Sequence, residues 1–446
     1  METYFRNIGE KVMQTARRVG VEAEAFLISG RELSIEVRDG KVETLKQAEE
    51  QGLGVRIISH QRSGFAYTSD LSPAVVKATV ADAVNMSRFS SPYECNNLPY
   101  GDYVYKPVAL YDKGIDNASL EEKMELAREV ERQARALDKK ITIIEQAAYE
   151  EGSYSTTVMN TQDLYAFKQG NLCSISIALV AEEDSDAQNG FSAMIRRRFD
   201  QLSAPSTGRE AAEKAVQQLG AAPIPSGNMP CIFDPYVTTR FLSIIASMAD
   251  ADAVQKGRSL LAGQIGNQIA SSQCTIIDDS LLLDGIGSTP FDGEGVPGKR
   301  NLIAEKGVLK DYLYDHYTAS RAGRLSTGNA RRPSFRTLPA VGVSNLILQA
   351  GGNKPHDLIA SIERGLYVTE VMGMHTVNPV SGQFSVGAAG LLIRNGSLDQ
   401  PVRGVTIAGN ILDLFRKIDA LGDDLRFFGS RGAPSIRIEN LSVGGR

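Results

Sequence analysis

The sharpest cluster of chemically capable residues is Gly293-Glu294-Gly295-Val296-Pro297-Gly298-Lys299, which has G-x-G-x-x-G spacing and nearly matches a phosphate-binding P-loop. Such a loop holds phosphate only where it opens a helix, whose first backbone amides then point at the anion. The residues that follow, RNLIAEKGVLKDYLY, alternate like strands around Glu305-Lys306-Gly307. Arg300 also stands where a P-loop needs Ser or Thr for magnesium. The run therefore reads as a glycine-rich loop between strands. Asp292, Glu294 and the pair Asp278-Asp279 have the side chains of general acids, and the same types populate any surface turn.

Metal and nucleophile patterns are sparse. His60, His316, His356 and His375 each lack a second His or Cys three to five residues away, the spacing by which one helix or turn builds a zinc site. His375, within VMGMHTVNPVSG, stands in the kind of loop that lines clefts. The four cysteines, Cys95, Cys173, Cys231 and Cys274, are 78, 58 and 43 residues apart. That is neither a disulfide framework nor a CxxC site, and it fits four reduced thiols in a cytoplasmic protein. No G-x-S-x-G elbow is present.

These residues need a scaffold, and the pattern of the chain predicts an α+β one. Residues 4–20 are amphipathic with Gly20 as a stop, and strand-like alternation follows around the Asp39-Gly40 hairpin signal. Ser72-Pro73 opens a helix over 72–88. After a Pro- and Tyr-containing connector, 89–118, the same order recurs. A capping box, Ser119 with Glu122, opens a helix to about Leu137. Strands are expected at 141–149, 153–159, 163–168, 173–182 and 190–198, then a helix opened by a second box, Thr207 with Glu210. Residues 1–220 thus form an N-terminal domain of two similar helix/antiparallel-meander units, 1–88 and 119–220. A Pro/Gly/Ser linker, 221–230, leads to a β-rich C-terminal domain, 231–446, closed or sandwich-like. It opens with a helix capped by Asp234 and contains an Asn395-Gly396 hairpin.

Composition limits the partners. The 446 residues include 42% hydrophobic and 23% charged side chains, ordinary for a globular protein of two or three domains. Residues 230–446 carry 22 Lys/Arg against 20 Asp/Glu, and residues 1–229 carry 26 against 33. Neither half is basic enough to coat a phosphate backbone, so no nucleic-acid partner is expected. The basic run Arg196-Arg197-Arg198 is expected at a solvated strand end. The N-terminus has no apolar signal region, and no apolar run reaches the ~18–20 residues of a membrane span. A soluble cytoplasmic protein is expected, without a membrane.

Several runs occur in succession: KGRSLLAGQIGNQIASSQCTIIDD, FDGEGVPGKRNLIAEKGVLKDYLYD, STGNARRPS, IRNGSLDQPVRGVTIAGN and GDDL. Together they resemble the TldD/PmbA family, often labelled modulators of DNA gyrase. The resemblance implies a two-domain α+β fold, a dimer enclosing a cavity, and peptidase action on unfolded or modified peptides. In the TldD branch it implies a helix bearing H-E-x-x-x-H, two histidines on zinc and a glutamate as general base, plus a late Cys ligand.

Counting back from Lys256-Gly257, those helix positions fall here on Leu242, Ser243 and Ser247, and no Cys follows Cys274. The sequence therefore resembles the PmbA (TldE) branch, a metal-less partner subunit. No cofactor is expected in this chain and no catalytic or metal residue is assigned to it. Zinc is expected in a TldD-type homologue with which it forms a heterodimer, and a homodimer is expected when it is alone. The alternative is a standalone homodimeric peptide-binding protein without hydrolytic activity. A further alternative is a hydrolase using a site that these residues do not reveal. Asp292, Glu294, Gly295, Asn329, Arg331 and His375, most of them in the retained motifs, are the candidate lining of a peptide cleft.

Overall fold

The computed structural model describes all 446 residues. It opens with α1 (Glu2–Val19), which buries Phe5, Ile8, Val12 and Ala16 at helical spacing. Strands β1 (Glu22–Arg38), β2 (Lys41–Ser59) and β3 (Arg62–Thr68) follow, then α2 (Pro73–Ser87). A short α3 (Lys113–Asn117) lies in the connector. The order then repeats as α4 (Leu120–Leu137), β4 (Ile141–Asn160), β5 (Tyr165–Glu183), β6 (Asp186–Arg196) and α5 (Ala204–Gln217).

The two units fuse into one antiparallel sheet. β1 pairs with β4, giving the order β3-β2-β1-β4-β5-β6. Helices α1 and α2 pack a core on one half, including Phe5, Val12, Leu53, Val55 and Val80. Helices α4 and α5 pack the other half, around Val130, Tyr149, Ile175 and Ala211.

Two sequence expectations are corrected here. Stretches 141–149 and 153–159 form one strand, as do 165–168 and 173–182, because Gly152 and Gly170 sit within the ladder opposite Glu32, Leu172 and Tyr154. The α5 helix begins at Ala204 and not at Thr207. Ser203 caps it by accepting from the Ser206 N–H, and the Thr207 hydroxyl donates back to the Ser203 carbonyl.

The second half starts with β7 (Gly227–Phe233), so the end of the expected linker is strand. Next come α6 (Pro235–Met248), capped by Asp234, and α7 (Ala251–Gln255), capped by Asp250. Strands β8 (Ile276–Asp279), β9 (Arg300–Glu305) and β10 (Val308–Leu309) precede α8 (His316–Arg321). After them lie β11 (Ala330–Arg331), β12 (Ala340–Val341), β13 (Leu346–Leu348) and α9 (Pro355–Ala360). The chain continues through β14 (Arg364–Met372), β15 (Gln383–Arg394), β16 (Ser397–Asn410) and α10 (Ile411–Arg416). It finishes with β17 (Ile418–Leu421), β18 (Arg426–Phe428), β19 (Arg431–Ala433) and β20 (Ile436–Gly444).

These strands make two main sheets. One has the order β16-β15-β14-β7-β20-β17, and an additional β16–β20 pairing closes five of its strands into a ring. The other has the order β10-β9-β8-β13-β19-β18. Helix α6 packs against β7 and β14 of the first and against β13, β18 and β19 of the second. Its Val237, Phe241, Leu242 and Ile245 therefore enter the largest apolar core. No helix is long and apolar enough to cross a membrane.

Candidate functional site

The loop 291–298 meets the N-terminal sheet. Phe291 and Leu164 pack with Phe26, Val158 and Phe335 in a buried cluster that joins the two halves of the chain. The loop's shape is set by the Asp292 carboxylate, which accepts from the backbone N–H groups of Glu294, Val296 and Ala330 at 2.9–3.0 Å. Gly295 has φ +81°, and a Cβ there would meet Leu164 Cδ2 at 2.6 Å, so both conformation and space require glycine. Burial and the adjacent Glu294 charge push Asp292 up to about 7.

Beside this loop runs a chain of buried charges. Arg332 Nη1 donates to Glu24 Oε1 at 2.6 Å, and Arg56 Nη2 donates to Glu24 Oε2 at 2.6 Å and to Glu294 Oε1 at 2.8 Å. Glu294 Oε2 accepts the His316 backbone N–H at 2.8 Å. Glu24, Glu294 and the Arg332 side chain are fully buried. Burial alone would raise the Glu24 carboxyl, but the guanidinia of Arg56 and Arg332 overcome it and hold the group below its usual value. The alternating signs cancel, which makes the burial tolerable. Glu24 and Arg56 come from β1 and β2, so this seam ties the N-terminal sheet to the C-terminal domain.

Lys168 and Arg197 also cross the seam, and Asn329 braces the C-terminal domain beside it. Lys168 on β5 donates to Thr289 Oγ1 at 2.7 Å and to the Phe291 carbonyl at 3.2 Å, and burial with the nearby Arg331 charge pushes it down to about 7. Asn329 donates to Asp278 Oδ2 at 2.7 Å and to the Gly342 carbonyl at 2.8 Å. Arg197 is buried, donating to the carbonyls of Gly285 and Ile286 at 2.8 Å. That corrects the expectation of a solvated strand end for the Arg196-Arg197-Arg198 run. Arg198 alone meets it, pairing with Asp200 at the surface.

The structure therefore brings Asp292, Glu294, Gly295, Asn329 and Arg331 together, but turned inward. The oxygens of Asp292 and Glu294 are taken by protein donors, and Asn329 is fully buried. The visible work of Asp292, Glu294 and Gly295 is to hold the loop and the seam, while Arg331 Nε and Nη2 are buried without a hydrogen-bond partner. His375 lies apart, exposed on the turn Met374–Thr376 between β14 and β15.

The zinc-helix positions fall on α6. Leu242 is fully buried in the apolar core. The Ser243 hydroxyl donates to the Thr239 carbonyl at 2.8 Å and accepts from Arg431 Nε at 2.9 Å. The Ser247 hydroxyl donates to the Ile244 carbonyl at 2.7 Å. Two back-bonded hydroxyls, one of them beside a permanent guanidinium cation, do not fit a zinc ion, which takes thiolate, imidazole or carboxylate donors. No group of three or more His, Cys, Asp or Glu in the chain is placed to hold a metal.

Sequence reasoning passed over Glu24, Arg56, Arg332, Lys168 and Arg431. Each lies in an ordinary strand or loop, and its partner is far away in sequence. The Arg332–Glu24 pair spans 308 positions.

Family models described as PmbA/TldA metallopeptidase domain 1, central domain and C-terminal domain match residues 23–87, 113–219 and 226–445. The chain is 28% identical to the metalloprotease PmbA of Escherichia coli O157:H7, across 99% of this chain and 97% of that protein. It is 30% identical to a metalloprotease of Methanothermobacter thermautotrophicus, across 94% of each. A crystal structure from Thermotoga maritima, described as a candidate modulator of a DNA gyrase, superposes with a TM-score of 0.91 at 28% identity. That match covers 99% of this chain and 100% of the other.

Proposed function

The chain belongs to the PmbA/TldD metallopeptidase family, and from that premise we propose that it is a non-catalytic, PmbA/TldE-like subunit of a two-chain zinc peptidase. The partner is a TldD-type homologue that carries the zinc, and the substrate is an unfolded or modified peptide. The observation that carries this reading is the α6 face. Leu242 is core, Ser243 and Ser247 are bonded back to their own helix, and Arg431 holds a positive charge against Ser243. A peptidase scaffold with that face contributes cavity walls and peptide contacts while the partner supplies the metal. Ring closure leaves only short strands at sheet edges in the C-terminal domain, such as β10, β17 and β18. These are the surfaces available for a two-fold interface of more than ~1,000 Å².

Light scattering on the chain alone is expected to give a dimer, formed through the face that a homologous partner also uses. Cleavage of an unstructured peptide is expected only after mixing with the zinc-bearing homologue. A strict monomer that cleaves peptide unaided overturns the reading. Peptide binding by the homodimer, with no added cleavage in the mixture, would establish the standalone binding protein instead.

A further inference from the structure

The disagreement between α6 and a zinc site is itself informative, because what stands there is a prepared cation. Arg431 on β19 is half-buried and has no carboxylate within ion-pair distance. Its polar contacts are neutral, Nε to Ser243 Oγ at 2.9 Å and Nη1 to Ser430 Oγ at 3.3 Å. The Ser243 proton is committed to the Thr239 carbonyl, so a Ser243 lone pair faces the guanidinium and fixes its Nε edge. Nη2 has no protein acceptor and is not among the sealed polar atoms. The end of the fork formed by Nη1 and Nη2 thus remains available, which is the edge that takes a carboxylate bidentately.

The surroundings favour the same ligand. Arg240, one turn before Ser243 on α6, is exposed and also lacks a carboxylate partner. Tyr236 stacks edge-on against Phe428 at 5.3 Å, and the Arg426 guanidinium lies 5.2 Å over the Phe428 ring. One face of α6, with the adjoining β18–β19 pair, therefore combines two unpaired arginines with an aromatic pair. Such a surface offers charge and flat apolar contact, as peptide recognition requires.

We propose that Arg431, buttressed by Ser243, anchors a carboxylate of the bound peptide, taking it end-on through Nη1 and Nη2. This inference rests on the peptide-contact role proposed above for the α6 face and names the feature of the peptide that this face selects. A carboxylate can come from the peptide's C-terminus or from an Asp side chain, and the test separates the two.

The probe is a fluorescein-labelled ten-residue Gly/Ser/Ala peptide made in three forms. One has a free C-terminal acid, one a C-terminal amide, and one an amide with a single internal Asp. Fluorescence polarisation is read with the full chain, alone and paired with a zinc-bearing homologue. At least one acidic form is expected to bind about tenfold more tightly than the plain amide, the size of a hydrogen bond to a charged group. Arg431→Gln is expected to abolish that difference without weakening the plain amide. Arg431→Lys, which keeps the charge but not the fork, restores only part of it. Ser243→Ala frees the Nε edge and is expected to reduce the preference, giving a milder variant should Arg431→Gln not fold.

Equal binding of all three forms, or an acid preference that survives in every Arg431 and Ser243 variant, overturns the carboxylate anchor and leaves the proposed peptide-contact role intact. No binding of any form, alone or in the pair, overturns both.

Discussion

Replacing Glu294 by Gln should destabilise the protein by an amount the seam geometry sets. Each Glu294 oxygen serves one donor, Oε1 the Arg56 guanidinium and Oε2 the His316 backbone N–H, both at 2.8 Å. A glutamine amide offers one acceptor and turns its NH2 toward the other donor. It also removes one of two negative charges from a chain that contains Arg56 and Arg332, leaving a buried excess of one positive charge. Uncompensating a buried ion pair costs about 3–5 kcal/mol. For units of this size about 3 kcal/mol corresponds to a fall in Tm of roughly 6–12 °C. The control is Glu50→Gln. Glu50 pairs with Arg336 at 2.5 Å, but both side chains are about half exposed, so its loss should cost about 0–1 kcal/mol. Calorimetry on the two variants gives the comparison. If Glu294→Gln melts within about 2 °C of the parent by the same relation, the buried charges of the seam do not hold the two domains together.

Lys168 gives a pH dependence with a definite sign. Its folded pKa of about 7 lies below the model-compound value of 10.5, so between those values the unfolded chain holds the extra proton. Stability from this group therefore rises with pH across that window, and Lys168→Met should flatten the rise in urea midpoints measured from pH 7 to 10; an unchanged slope would refute the assignment. The purified, dialysed chain is expected to contain no stoichiometric zinc by elemental analysis, because Leu242, Ser243 and Ser247 supply no zinc donor. About one zinc per chain would refute this and turn attention to His316 and His375.

The features legible in the sequence are those whose physics is local. Ser119 and Glu122 form the expected capping box, Asp234 caps α6, and Asn395-Gly396 turns β15 into β16. Each depends on residues within four positions of one another. The gaps expected between 149 and 153 and between 168 and 173 are absent, since only pairing with neighbouring strands shows that Gly152 and Gly170 lie in a continuous ladder. Residue chemistry found Asp292 and Glu294, and the family resemblance Asn329, but neither gave their orientation. A carboxylate in a glycine-rich loop looks the same whether it meets a ligand or Arg56, and Arg56 lies 238 positions away. For the same reason Arg431 was invisible until α6 was placed against β19.

The closed ring has a consequence for how the molecule is made. β20 pairs both with β7, where the domain begins, and with β16. The register sets Val443 against Gly227, more than two hundred residues earlier. The N-terminal sheet is complete by Arg196, so it can form during synthesis, whereas the ring cannot close until β20 has been made. Pairing over such separations is slow because loop closure precedes any stabilising contact. During that interval Glu24 and Arg56 hold each other without Glu294 or Arg332, and the sheet waits with half of its seam unmade. Pulsed hydrogen exchange during refolding should protect β1 and β4 before β7 and β20; simultaneous protection would mean that the two halves fold as one unit.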